Sequence, residues 1–131
     1  MDDVTAPRLD PGRAPEEARR LRQSLEPSER ERVERTVAEL LDLLGRTHTM
    51  AVLSEFAFAG EPLRFSDLET ALEVPANTLS TRLRELTDAG LLDRTAYDEV
   101  PPRVEYEPTD KARVLFPMVG HLHRWAMSYE L

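Results

Sequence analysis

Residues 75–94 read Pro75-Ala76-Asn77-Thr78-Leu79-Ser80-Thr81-Arg82-Leu83-Arg84-Glu85-Leu86-Thr87-Asp88-Ala89-Gly90-Leu91-Leu92-Asp93-Arg94, and the architecture follows from them. Leu79, Leu83 and Leu86 fall four and three apart, which makes one buried stripe on a helix. Pro75 suits the first turn of that helix, and Gly90 stops it, so a helix is predicted over about 76–88. Upstream, Phe65 and a capping box of Ser66 with Glu69 open a short helix that buries Leu68 and Leu72. The few residues around Val74 join the two helices, which is a helix-turn-helix pattern. Downstream, Leu91–Tyr97 and Arg103–Glu107 read as strands, with Val104 and Tyr106 alternating against Arg103 and Glu105. Pro101 and Pro102 cannot donate to a ladder and mark the loop between them. A hairpin placed directly after a helix-turn-helix is a wing, here about residues 91–108.

The flanking sequence supplies further helices. Ser28 with Glu31 forms a second capping box, opening a helix to Leu44 whose stripe is Val33, Val37, Leu40, Leu41 and Leu44. Thr47 or Thr49 caps the next helix, which carries Met50, Val52, Leu53, Phe56, Ala57 and Phe58. It is apolar on most sides and so belongs at the centre, with Gly60 at its end. Helix resumes at Thr109 or Asp110, and Pro117 breaks or kinks it. Leu115, Met118, Leu122, Trp125 and Tyr129 then follow at spacings of three and four, the pattern of a seam between helices. Glu16–Leu25 is predicted as a short charged helix, and residues 1–15, rich in proline, as disordered. The expected division is an N-terminal extension over 1–27, disordered or weakly helical, a DNA-binding domain over 28–109 and C-terminal dimerisation helices over 110–131. The fold class is mostly α with a small β-hairpin wing: a winged helix-turn-helix, its N- and C-terminal helices forming a dimer interface.

Composition narrows the function. The chain has 131 residues and no cysteine, which excludes disulfides, thiolate-zinc sites and thiol-based redox sensing within it. No apolar run approaches the roughly 18–20 residues of a membrane span, and no secretory h-region is visible, so a cytoplasmic protein is expected. No phosphate loop, nucleophile elbow or carboxylate cluster points to an enzyme. His121 and His123 lie two apart on a helix, so their rings diverge by about 200° and suit a surface or interface better than one metal. His48 reads as a packing or capping residue. No cofactor and no metal are expected.

Specific residues narrow the family. Arg64-Phe65-Ser66-Asp67-Leu68 resembles the start of the third helix in HxlR-type regulators. Leu79–Leu86 with Ala89–Arg94 resembles that family's recognition helix and wing entry. Val100-Pro101-Pro102-Arg103-Val104-Glu105-Tyr106, with Thr109 behind it, is similar to the family's wing motif and is the most specific of these matches. Leu115, Pro117, Leu122 and Trp125 resemble its terminal helix. The resemblance covers roughly residues 37–127 and implies a transcription regulator that dimerises through its terminal helices. Many members carry a cysteine ahead of the first core helix and a Gly-Lys-Trp stretch opening the second. This chain has no cysteine, and Arg46-Thr47-His48 stands in place of that stretch. Cysteine-based sensing therefore cannot operate here.

A candidate DNA surface follows from the helix geometry. At about 100° per residue, Asn77, Thr81, Arg84 and Asp88 lie opposite the leucine stripe, with Thr78 and Ser80 on the flanks. The N-terminal part of a recognition helix reaches base edges, and from Asn77 to Arg84 it carries no carboxylate. Asn77 can read adenine or cap the helix; Ser80 and Thr81 can bond bases or phosphates; Arg84 can take guanine or phosphate. Arg82 sits nearer the core edge, where pairing with an acid is the expectation. Arg94 at the wing entry can touch phosphate. Arg103 at the wing tip can enter a minor groove or instead pair with Glu105 or Asp98.

The charge runs against this reading. With 25 acids against 17 bases the net charge is -8, and from Asn77 to Tyr106 four arginines face six acids. Phosphate neutralisation supplies most of the affinity for DNA, so a local basic face is required. The expected partners are double-stranded DNA and a second copy of the chain, with a small-molecule effector near Trp125 as an added reading. The interface is expected from Leu40, Leu44, Leu115, Met118, Leu122, Trp125 and Tyr129. The alternative is a winged-helix protein-interaction module with lost or weakened DNA binding.

Overall fold

Leucine periodicity and glycine stops produce helices wherever the sequence has both. The computed structural model describes residues 13–131, so the disorder expected over 1–15 lies outside the described part up to residue 12, while residues 13–15 are helical, contrary to that expectation. In chain order the elements are α1 (Arg13–Ser24), α2 (Pro27–Leu44), α3 (Thr49–Ala59), β1 (Leu63–Arg64), α4 (Phe65–Ala71), α5 (Ala76–Asp88), β2 (Leu92–Tyr97), β3 (Arg103–Pro108), α6 (Asp110–Arg113) and α7 (Phe116–Ser128). The chain is mostly helical with one small antiparallel sheet in the order β1-β3-β2. β2 and β3 are the expected wing hairpin, paired from Leu92↔Pro108 to Tyr97↔Arg103. The third strand, β1, pairs Leu63 with Tyr106 and Arg64 with Glu105. Two residues carry no readable alternation, so only the paired structure reveals it.

Two compact units emerge: one of residues up to Asp42 with His121–Leu131, the other Leu43–Gly120. The second holds every buried hydrophobic residue among those described. Val52, Leu53 and Phe56 of α3, Leu68 of α4, Leu79, Leu83 and Leu86 of α5, and Leu92 of β2 are almost wholly enclosed. Burying side chains of this size contributes about 1.5–3 kcal/mol each before entropy is counted. Of the expected α2 stripe, Val37 and Leu41 are exposed in the single chain, at 49 % and 60 %, while Val33 and Leu40 are half-buried and Leu44 belongs to the second unit's core.

Helix ends show where side-chain chemistry overrode the simplest reading. α2 begins at Pro27, and the Glu26 carbonyl accepts from the Arg30 N–H at 2.9 Å, so Ser28 sits inside the helix rather than capping it. Proline lacks an N–H and so loses nothing in the first turn. Neither Thr47 nor Thr49 caps α3. His48 holds the cap position in the left-handed region (φ 68), and Thr49 is buried with its Oγ1 unpartnered. α4 starts at Phe65, so the reciprocal acid is Asp67, whose carboxylate accepts from the Arg64 N–H at 2.8 Å, and not Glu69. Pro75 stands one residue outside α5, its carbonyl accepting from the Leu79 N–H at 2.9 Å. At the other end, Gly90 adopts φ 76 while the Leu91 N–H donates to the Leu86 carbonyl at 2.9 Å. That is a left-handed C-terminal cap, which favours glycine.

Thr109 ties the wing to this cap. Its hydroxyl donates to the Gly90 carbonyl at 2.6 Å and accepts from the Ala112 N–H at 3.3 Å, opening α6. The helix breaks after Arg113 and resumes at Phe116, which leaves Pro117 in a first turn where its missing N–H is harmless.

Candidate nucleic-acid interface

The leucine stripe of α5 points inward, so the opposite face is fixed. Asn77, Ser80 and Arg84 are exposed at successive turns, and Thr78 and Thr81 are half-buried beside them. Asn77 occupies the second helical position rather than the cap. Its carbonyl accepts from Thr81 Oγ1 at 3.0 Å. With its proton committed to the backbone, the Thr81 hydroxyl offers lone pairs only, so it can accept from an outside donor.

Glu85, the first acid on α5, is removed from this face by two arginines. Arg82 Nη1 lies 2.7 Å from Glu85 Oε1, and Arg46 Nη1 holds the other carboxylate oxygen. Arg82 also donates through Nε to the Thr47 carbonyl at 2.8 Å. The Arg82 hydrogen bond, reinforced by Arg46, holds the Glu85 carboxyl below the usual carboxylate range despite the opposing effect of burial. Arg82 is therefore a structural ion-pair partner, as its position near the core edge predicts. Arg46, which sequence reasoning noticed only as a departure from the family pattern, is the second partner.

The wing divides its charges between two faces. Cross-strand partners share a face, so Arg94↔Tyr106 and Leu92↔Pro108 lie on one side, with Tyr97↔Arg103, Thr95↔Glu105 and Asp93↔Glu107 on the other. Leu92 and Pro108 are buried, so the first face turns inward at that end of the hairpin. Arg94, further out on that face, is exposed. Arg103 sits on the acidic face and is held there: Nη2 is 3.2 Å from Glu99, Nε is 3.2 Å from Glu105, and the guanidinium lies 4.1 Å from the Tyr97 ring centre. Its partners include the expected Glu105, while Glu99 takes the place considered for Asp98. Tyr97 and Glu99 went unrecognised in the sequence. Pairing the residues that flank the loop 98–102 would have brought Tyr97 to Arg103.

The seam residues divide by exposure. Leu44 is 5 % exposed and belongs to the core of the Leu43–Gly120 unit, while Leu40, Leu115 and Met118 are half-buried. Leu122, Trp125 and Tyr129 remain exposed at 49 %, 38 % and 57 %. The rings of Trp125 on α7 and Tyr129, the residue after its end, lie 5.3 Å apart.

A helix-turn-helix closed by a β-hairpin, with a polar outward face on its second helix, defines the winged helix-turn-helix class of transcription regulators. The chain belongs to the HxlR-like helix-turn-helix family, whose model it matches over residues 43–130. An HTH-type transcriptional regulator of Mycobacterium tuberculosis is 40% identical over 94 residues, spanning 72% of this chain and 58% of that protein. The chain thus matches less than two thirds of that relative's length. An HTH-type transcriptional regulator of Halalkalibacterium halodurans is 38% identical over 89 residues, spanning 67% of this chain and 78% of that protein. Among solved structures, the reduced form of the redox regulator HypR superposes with a TM-score of 0.65 at 29% identity, covering 71% of this chain and 91% of that one. These relatives are regulators and not enzymes. Among the described residues no helix is long and apolar enough to cross a membrane.

Proposed function

We propose that this chain binds double-stranded DNA as a homodimer, placing α5 of each copy in successive major grooves of a pseudo-palindromic operator. The observation that carries the reading is the outward face of α5. It presents Asn77, Ser80 and Arg84 to solvent, with Thr78 and Thr81 beside them, while the first carboxylate on the helix is neutralised by Arg82 and Arg46. Asn77 suits an adenine edge and Arg84 a guanine or a phosphate; Ser80 and Thr78 suit phosphate oxygens. Arg94 adds a backbone contact, and Arg103 reaches DNA only by exchanging carboxylates for phosphate. Residues 28–109 act as the DNA-binding domain and 110–131 as the dimerisation segment. The exposed Leu122, Trp125 and Tyr129, and the half-buried Leu40, Leu115 and Met118, support the second copy.

The test is fluorescence anisotropy of the purified chain against its own upstream DNA and a scrambled duplex at several salt concentrations. Preferential binding that weakens with salt is the expected result. Equal affinity for both duplexes at every salt concentration would remove the operator from the proposal.

A further inference from the structure

A cleft of about 440 Å³ opens within the Leu43–Gly120 unit, between the end of α3, the segment before β1, the end of β3 and the start of α7. This volume is within the range of sites that take small organic molecules, roughly 300–1,000 Å³. The half-buried Phe116 gives it an aromatic wall, with the enclosed Phe56 behind the lining, and Glu61 and Glu107 bring two carboxylates. The basic residue among the lining side chains, Arg113, already has its Nη1 3.1 Å from Asp110 of its own helix. A second observation points the same way. Glu107 stands directly across the β2–β3 ladder from Asp93, and like charges in that register repel.

We infer that this cleft binds an amphipathic organic cation, an aromatic or aliphatic body carrying one ammonium group. The body takes the place of water against Phe116 and the apolar lining, and the ammonium is drawn to Glu61 and Glu107. An ammonium over an aromatic face adds cation–π attraction. An organic anion meets the two carboxylates, with a single arginine that is already paired. Glu107 and Pro108 end the strand that starts at Arg103, so the ligand would rest on the wing's own β3.

Three probes on one scaffold test the charge preference: 1-naphthylmethylamine, 1-naphthalenemethanol and 1-naphthoate, titrated calorimetrically into the full chain at pH 7 without DNA. The expected result is saturable binding of the amine, weaker binding of the alcohol and none of the naphthoate. In the double variant Glu61→Gln, Glu107→Gln, the amine should lose about tenfold in affinity while the alcohol is unchanged. Equal binding of the three probes, preference for the naphthoate, no saturable binding of the amine, or an amine affinity indifferent to the double substitution would each overturn the inference. A thermal melt shows whether the variant folds, and if it does not, the charge series on the unaltered chain decides alone.

Discussion

The Arg103 guanidinium lies 4.1 Å from the centre of the Tyr97 ring, across the last register pair before the wing tip. With Glu99 and Glu105 both at 3.2 Å, this arginine already has two anions before any phosphate arrives. Glu99→Gln removes one competitor and should raise DNA affinity about threefold, the scale of one exposed ion pair. Arg103→Ala should weaken binding less than Arg84→Ala, because Arg84 is exposed with no carboxylate partner among the described residues. Loss of Arg84 should also lower the salt slope by about one. Anisotropy titrations of the three variants across salt concentrations check the order.

Glu85 gives the stability a sign with pH. Its carboxyl is held low by the Arg82 hydrogen bond and by Arg46, so its ionised form is favoured in the folded chain. Its contribution is present above the ordinary glutamate range and is lost as pH falls through the depressed folded value. Glu85→Gln should cost about 1 kcal/mol near neutrality. The gap between variant and unaltered chain should then narrow in thermal melts taken towards pH 3.

Lys111 is the only lysine of the chain, and its Nζ donates to the Ala89 carbonyl at 2.7 Å. A cation on the last carbonyls of α5 complements the helix dipole, so Lys111→Met should destabilise by about 1 kcal/mol in urea unfolding. Gly90→Ala should cost about 1 kcal/mol for a different reason. The added Cβ meets Lys111 only at ordinary contact distance, but the φ of 76 disfavours any side chain.

Trp125 is 38 % exposed in the single chain, beside the exposed Tyr129. Trp125→Asp should convert the proposed dimer to monomer in sedimentation equilibrium with helicity retained, since the buried core lies within Leu43–Gly120. Specific DNA affinity should fall with it, because one half-site alone has half the contacts. A dimer that survives the substitution would move the interface elsewhere.

Local pattern was enough for the recognition helix, because Leu79, Leu83 and Leu86 state its inward face and Gly90 its end. It was enough for the wing, because two prolines mark the loop and alternation marks the strands. The family was legible from Val100–Tyr106, and the outward positions of Asn77, Arg84 and Asp88 followed from helix geometry, whereas Thr81, expected outward, is half-buried and Ser80, expected on the flank, is exposed. The helix caps were less legible: a shift of two residues moves the cap from Ser66 to Arg64 and the capping acid from Glu69 to Asp67, and several neighbouring side chains can serve. β1 was invisible, since two residues have no period.

What remained needed the tertiary structure. Arg46 meets Glu85 from 39 residues away, and Lys111 meets Ala89 from 22. The split of Arg94 and Arg103 onto opposite wing faces depends on register, which a single strand does not carry. Periodicity says which way a side chain faces within its own element. Which charge it meets there depends on how elements distant in sequence are brought together by burial of the leucine core, and no local rule contains that.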